Sequence, residues 1–410
     1  MHTSIIIGLV LAGASADAAE RLRLADAIAE ARARNPALAA ARSRATAAAA
    51  VPARVRALDD PTFSYELWNA PDFRPDRADN NIFRLGQKLP FPGKRALAGD
   101  VAARDADVAD ADASGAGLEL DAAVRRAFYE LWGAHELEDV YGRERAIVER
   151  LAHIAEQKYA VGEVAQSDVL RAQVELTRVV NRHSTQALAI DAARAEMNAL
   201  LGREADGPLG EPEPPAAPRL PADAAELTRA ALASRPEVRA GEAAIAREEA
   251  AVRLARRQYL PDFELNVGRF VNPGQRDGFG AMATVSIPIA YKGKYDAGVA
   301  EAEARLASAR ADLRRVQDGI RRDVTQAFVR ARTALLQRSL LVSTHVPQAE
   351  QSLRVAESGY QTGAVDFLAL TDTARTVESA HVEHIMAEVD FEKASADLDR
   401  AVGKASEVSR

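Results

Sequence analysis

His381-x-x-His384, followed by Glu388, places two imidazoles and a carboxylate on one helical face, a spacing that could close around a divalent metal. The same spacing occurs on solvated polar faces, and it reads more simply as one of those. Asp168, Asp366 and Asp372 each follow shortly after a glycine-containing turn. A carboxylate there can cap the start of a helix, and Asp366 is the best placed to do so. No G-x-S-x-G, P-loop, H-E-x-x-H or dinucleotide fingerprint occurs in the chain, so neither catalytic residues nor a cofactor is expected. There are no cysteines, which excludes disulfides, thiolate metal sites, a cysteine nucleophile and a lipid-bearing N-terminal Cys.

The elements that carry these residues are long helices. Apolar residues make up 48% of the 410, yet aromatics are only 5% and alanine dominates. Alanine favours helix but buries little area per residue, which suits long rods packed closely side by side. The formal net charge of −7 is spread along the chain without a basic block, so nucleic acid is not an expected partner. The apolar run Ile5–Ala12 precedes the small-residue site Ala14-Ser15-Ala16 and reads as a secretory signal cleaved after Ala16. Nothing later approaches the ~20 apolar residues of a membrane-spanning helix, so any crossing of a membrane must use strands.

The chain is written twice at a spacing of 200 to 201 residues. Asn35-Pro36 recurs as Arg235-Pro236, and Pro61-Thr62-Phe63 as Pro261-Asp262-Phe263. Leu89-Pro90 recurs two residues out of step as Ile287-Pro288, and Gly93-Lys94 as Gly293-Lys294. Phe128 matches Phe328, Tyr159-x-x-Gly162 matches Tyr360-x-x-Gly363, and Leu201-Gly202 matches Val402-Gly403. The expected layout is a signal peptide over 1–16 and a first repeat over 17–202 with strands at about 62–70 and 80–89. A Pro/Gly-rich linker over 203–221 follows, then a second repeat over 222–403 with strands at about 262–271 and 278–288, and a short tail over 404–410.

Each repeat opens with a helix, Arg21 to about Leu58 and Ala222 to about Gln258, which the X-Pro pairs should break or kink. Then come the aromatic zones, 61–91 and 259–295, which hold 12 of the 21 aromatic residues and alternate with period two. Phe63, Tyr65 and Leu67 share one face, as do Phe263, Leu265 and Val267. Polar loops, 69–80 and 272–278, join each strand pair. The strands are long enough to cross an apolar layer when tilted, although a half-buried soluble sheet would alternate in the same way. Four strands cannot close a barrel, so several chains would have to share one. Long helices follow: Lys94 to about Lys158 with its return Gln166–Leu201, and Lys294 to about Ser358 with its return Asp366–Val402. Pro347 should kink the second, and Gly115 and Gly117 should weaken the first.

With these motifs in place the chain resembles the TolC family of outer-membrane efflux proteins. The carrying residues are Tyr159-Ala-Val-Gly162 with Ser167-Asp168-Val169-Leu170, and Tyr360-Gln-Thr-Gly363 with Asp366-Phe367-Leu368. Leu89-Pro90-Phe91-Pro92-Gly93-Lys94-Arg95 is similar to the strand-to-helix junction of the family's cation-efflux branch. The resemblance implies a mainly α fold with a small β part. Four strands per chain would enter a trimeric 12-stranded transmembrane β-barrel, and coiled-coil-like helices would continue it as a periplasmic α-barrel. It implies a homotrimer in outer-membrane lipid of a Gram-negative-type bacterium, docked on a periplasmic adapter (membrane fusion) protein and an inner-membrane RND-type pump. The job implied is a passive exit duct for small solutes or metal cations. The tips carrying Tyr159, Gly162, Tyr360 and Gly363 would then meet the adapter, and Asp168, Asp366 and Asp372 could ring a constriction of the lumen. A secretion duct for proteins and a soluble periplasmic coiled-coil scaffold are the alternatives. The duplicated aromatic strand pairs oppose the scaffold.

Overall fold

The structure is a computed structural model that describes residues 21–221, 223–272 and 274–404. The signal peptide expected over 1–16 and most of the tail over 404–410 lie outside the described residues. Mostly helix with one small sheet, the chain runs through helices α1 (Leu24–Arg34) and α2 (Pro36–Arg56), then strands β1 (Thr62–Trp68) and β2 (Asn80–Leu89). Helices α3 (Lys94–Ala160) and α4 (Gln166–Leu201) follow. The second half repeats that order with α5 (Ala224–Ser234), α6 (Pro236–Arg257), β3 (Asp262–Val271), β4 (Gly278–Ser286), α7 (Asp296–Leu340), α8 (Val346–Thr362) and α9 (Phe367–Val402). Among the described residues no helix is long and apolar enough to cross a membrane.

Asn35 ends α1 and restarts the chain as α2. Its backbone is extended, its side-chain oxygen accepts the amides of Ala37 and Leu38 at 3.0 and 3.2 Å, and Pro36 fills the first helical position, where no N–H is needed. Its amide nitrogen also donates to Leu200 O at 3.0 Å, which ties the break to the far end of α4. At Arg235-Pro236 no side-chain cap is made, and the buried Arg235 pairs instead with Glu237 at 2.5 Å.

Helix α3 spans 67 residues, about 100 Å at the usual rise, and Gly115 and Gly117 lie inside it without a break. Its second-half counterpart is not one α-helix. It starts with a π turn at Tyr291–Tyr295 and has another at Leu341–His345, so the single rod expected from Lys294 to about Ser358 is divided there. The second π turn lies just before Pro347, whose ring an α-helical turn would drive against the preceding carbonyl. A π turn inserts one residue. The repeat spacing changes accordingly, from 200 at Phe128 and Phe328 to 201 at Tyr159 and Tyr360.

All four strands form one antiparallel sheet in the order β1-β2-β3-β4. Both hairpins keep matching registers, Ser64 opposite Arg84 and Glu264 opposite Thr284. The halves join where Leu89 faces Phe263. Two strand ends fall short of expectation. β1 stops at Trp68 rather than 70 because Asn69 turns at positive φ, and β4 stops at Ser286 rather than 288 because its partner β3 begins at Asp262, opposite Ser286. At the junction of sheet and helix, the buried Lys94 ammonium donates to Leu260 O at 2.8 Å and to Asp262 at 2.9 Å. This fastens the first half to the second.

The core is a chain of clusters along the rods. Ile28, Phe128, Leu131, Met197 and Leu201 fill the middle of the first half, and Val324, Phe328, Leu398 and Val402 the middle of the second. A third cluster near the hairpin turns contains Leu151, Leu353, Tyr360, Phe367 and Leu370 among many alanines.

Candidate functional site

Two features could do work, the paired hairpin tips at one end and the sheet at the other. Both tips turn by the same device. Gly162 (φ 79°) and Gly363 (φ 78°) take the left-handed conformation that side chains resist. Nested hydrogen bonds close each turn. In the first, Gly162 N–H donates to Tyr159 O at 3.0 Å and Glu163 N–H to Lys158 O at 2.9 Å. In the second, Gly363 N–H donates to Tyr360 O at 3.3 Å and Ala364 N–H to Gly359 O at 2.8 Å.

The tips differ in what they present. Tyr159 is exposed, whereas Tyr360 is buried edge-on against Phe367, with ring centroids 5.8 Å apart. Burial raises the Tyr360 phenol above its ordinary pKa, helped by the nearby Asp168 carboxylate. Lys158 bridges the two hairpins. Its ammonium donates to Tyr360 O at 3.1 Å, lies 5.0 Å from the Tyr360 ring centroid and sits 3.6 Å from Glu163. The place of Lys158 in the second hairpin is taken by Gly359, where a Cβ would meet that of Val365 at 3.2 Å. Sequence reading missed Lys158, because only the folded pair of hairpins brings it to Tyr360.

Asp366 caps α9, accepting from Ala369 N–H at 2.8 Å. Asp168 is half-buried and 3.9 Å from Arg171. Asp372 is exposed and forms no ion pair among the described residues. The three histidine-face candidates are engaged separately. His381 Nε2 is 3.2 Å from Glu350, Glu388 is buried in an ion pair with Arg338, and burial lowers the pKa of His384. Among the described residues no group of His, Asp or Glu is placed to hold a metal ion.

A buried ionic cluster higher on the helices also went unread in the sequence. Arg178 of α4 contacts Glu144 of α3 at 3.2 Å, Glu378 of α9 at 3.0 Å and Glu175 on its own helix. Arg375 pairs with Glu175, and Arg182 with Glu378. All three carboxylates are buried. Burial, with a hydrogen bond to Glu378, pushes Glu144 up to about 8, whereas against their burial Glu175 is held below the usual carboxylate value by its arginines and Glu378 by the hydrogen bond from Glu144 and by its arginines. Carboxylates at helical spacing look solvated in a sequence, and only the meeting of three helices buries these.

At the other end, the register puts Phe63, Tyr65, Leu85, Phe263, Val267 and Phe279 on one face of the sheet, and all are exposed. The opposite face carries Ser64, Glu66, Arg84, Glu264, Asn266 and Thr284, with Arg84 and Glu66 paired at 2.6 Å. Trp68, Ile82, Phe270 and Met282 are the apolar residues on that face, and Phe270 lies over Gly280, where a Cβ would meet its ring at 2.7 Å. An apolar face left exposed on a sheet with two open edges is a surface built to be covered.

The family profile described as outer membrane efflux protein matches this chain twice, over residues 27–203 and 227–404. The cobalt-zinc-cadmium resistance protein CzcC of Cupriavidus metallidurans is 24% identical over 322 residues, which cover 77% of this chain and 75% of CzcC. The fold is shared with CusC, at a TM-score of 0.81 and 17% identity over 94% of this chain and 93% of that one. It is shared as well with the open state of the Neisseria gonorrhoeae MtrE outer membrane channel, at a TM-score of 0.78 and 18% identity over 93% of this chain and 89% of that one.

Proposed function

Because the chain belongs to the outer membrane efflux protein family, we propose that it is the outer-membrane duct of a tripartite pump for divalent metal cations, three copies closing one 12-stranded barrel. The observation that carries this reading is the sheet, with one exposed apolar face, one polar face and two unpaired edge strands. The apolar face would meet lipid and the polar face would line a water-filled lumen. Sister copies would satisfy the edges, because unpaired backbone cannot remain in hydrocarbon. Helices α3 and α4, and α7 to α9, would continue the duct through the periplasm. The repeat boundaries at 17–202 and 222–403 belong to the same proposal: each repeat supplies one hairpin of strands and one of helices.

The tips are the proposed seat of the adapter, through Tyr159 and Gly162 in one hairpin and Tyr360 and Gly363 in the other. Gly363→Val should strain the left-handed turn by about 1–2 kcal/mol and reduce cross-linking between tip and adapter. Unchanged cross-linking would remove the tips from the docking surface. Asp372, exposed and without an ion pair among the described residues, is the one of the three acidic candidates left to ring the lumen, whereas Asp366 is occupied as a cap and Asp168 as a neighbour of Arg171. A ring of carboxylates favours cations without having to bind them tightly. The metal-cation reading is supported by the similarity to the cobalt-zinc-cadmium resistance protein.

Cells lacking the chain should lose tolerance to cobalt, zinc or cadmium and regain it on complementation. Unchanged metal tolerance, with a loss of tolerance to organic toxicants, would overturn the metal reading and leave a duct for other solutes. In detergent the purified protein should be trimeric by light scattering, and a clean monomer would remove the shared barrel.

A further inference from the structure

Where β2 hands over to α3, a cavity of about 660 Å³ opens on the apolar face of the sheet. Leu89, Phe91, Phe263 and Leu265 wall it. Leu89 lies opposite Phe263 in the ladder, so both belong to the face that carries Phe63 and Leu85. Phe91 stacks on Phe263 with ring centroids 6.4 Å apart, and its N–H donates to Asp262 at 2.8 Å, which fixes the backbone that carries the ring. Phe263 and Leu265 nevertheless remain 37% and 49% exposed, so the walls are formed but uncovered.

The rim of this cavity is cationic. Arg56 at the end of α2 and Arg95 in the first turn of α3 line it, and Arg95 donates to Arg56 O at 2.9 Å, which ties the two helix ends together. Arg257 at the end of α6 stands beside them, since a Cβ at Gly93 would meet its guanidinium at 3.5 Å. Arg56 pairs with Asp100 at 2.9 Å, whereas Arg95 and Arg257 have no carboxylate partner among the described residues. No acidic residue lines the cavity among the described residues, and the charge of Lys94 is already taken by Asp262. The second half does not repeat the arrangement. Matching Gly93-Lys94 with Gly293-Lys294 puts Tyr295 at the place of Arg95, and the chain makes the π turn Tyr291–Tyr295 there. The cations are therefore a property of the first junction and not a demand of the repeat.

We propose that this cavity binds a glycerophospholipid of net negative charge, one per chain, with its phosphate on Arg95, Arg257 and Arg56 and an acyl chain along Phe91, Phe263 and Leu265. The proposal rests on the shared-barrel reading, which sets the apolar face in lipid. The strands give way to helices at this end, so the cavity lies at the periplasmic leaflet, which is made of glycerophospholipid. A guanidinium offers a phosphate two parallel N–H donors, a match that a lone ammonium does not make. Basic pockets beside apolar surface at a membrane boundary take anionic headgroups. The volume lies within the range of small-ligand sites. Apolar walls that run on into the lipid-facing sheet suit a molecule with a charged head and an apolar tail, and they give a free anion nothing.

Native mass spectrometry of the full chain in detergent, titrated with dioleoyl phosphatidylglycerol, tests this. The trimer should take up one lipid per chain, and Arg95→Gln with Arg257→Gln should weaken that binding by about tenfold, the value of one lost charge-assisted hydrogen bond. Arg315→Gln with Arg321→Gln removes two exposed charges from α7, far along the helix from the sheet, and should leave the binding unchanged. Equal losses in the two double variants, or none in the first, would overturn the site. Equal binding of dioleoyl phosphatidylcholine would overturn the recognition of net negative charge. Displacement of the lipid by inorganic phosphate would make this a free-anion site and overturn the lipid assignment. Each of those results leaves the trimer, and with it the shared barrel, standing. A monomer in the same spectra would overturn both.

Discussion

Arg178→Ala should destabilise the helical part of the protein by about 3–5 kcal/mol, the range for removing one partner from a buried ion pair. The size follows from what is left behind. Glu144, Glu175 and Glu378 come from three helices, all are buried, and among the described residues Arg178 is the one cation that touches each of them. Glu175 and Glu378, both ionised and buried, each lose one of the two arginines that pair with them among the described residues, keeping only Arg375 and Arg182, while the protonated Glu144 loses a hydrogen-bond donor. Denaturant titration of the detergent-solubilised protein would measure the loss. A change below about 1 kcal/mol, the value of an exposed pair, would mean that the cluster is solvated.

The same cluster sets a pH dependence with a definite sign. Glu144 is raised to about 8 by burial, so the folded state keeps its proton where the unfolded chain has released it. Its contribution to stability is present at low pH and is lost as pH rises from the ordinary carboxylate value toward about 8. A tenfold difference in proton affinity between the folded and unfolded chain is worth about 1.4 kcal/mol. Glu175, lowered by its arginines, and Glu378, lowered by the hydrogen bond from Glu144 and by its arginines, act in the opposite sense, losing their contribution as pH falls below the usual carboxylate range. Glu144→Gln keeps a hydrogen-bond donor and removes the titration. It should flatten the decline between pH 5 and about 8. An unchanged slope would show that Glu144 is already ionised.

Phe128→Ala should cost about 3–5 kcal/mol through lost burial and the cavity it leaves. Phe128 is 1% exposed and packs among Ile28, Leu131, Met197 and Leu201, with Tyr129 edge-on at 5.3 Å between ring centroids. Four helices meet there, and the alanines around it cannot refill the space. The drop should appear as a lower midpoint of helix melting by circular dichroism. A loss under about 1 kcal/mol would mean that the helices collapse inward to fill the cavity.

The starts of β1 and β3 were legible because Phe63-Ser64-Tyr65 and Phe263-Glu264-Leu265 alternate cleanly just after Pro61 and Pro261. The far end of β4 was not, since Ile287 and Ile289 continue the apolar pattern while the ladder stops where its partner stops. Asn35-Pro36 was legible as a break, and its chemistry as a cap depends on the same two residue types. The π turn at Leu341–His345 left a trace in the spacing, the change from 200 to 201, but its position is a matter of helical winding. At the tips, Gly162 and Gly363 announce their turns, because few other residues tolerate that backbone. Lys158, Glu144 and Arg178 announce nothing, since their roles arise only from neighbours distant in sequence.

The small size of the side chains near the turns has a mechanical consequence. Seven of the 13 residues in the buried cluster there are alanine, against four of 14 in the cluster around Phe128. A methyl group yields little free energy on leaving water, so each layer of contact near the turns is weaker than a layer of the midsection. Thermal breathing should therefore begin at the free end and travel toward the strands. Amide deuteration should fall off in the same direction, fastest around Ala155 and Ala356 and slowest beside Phe128.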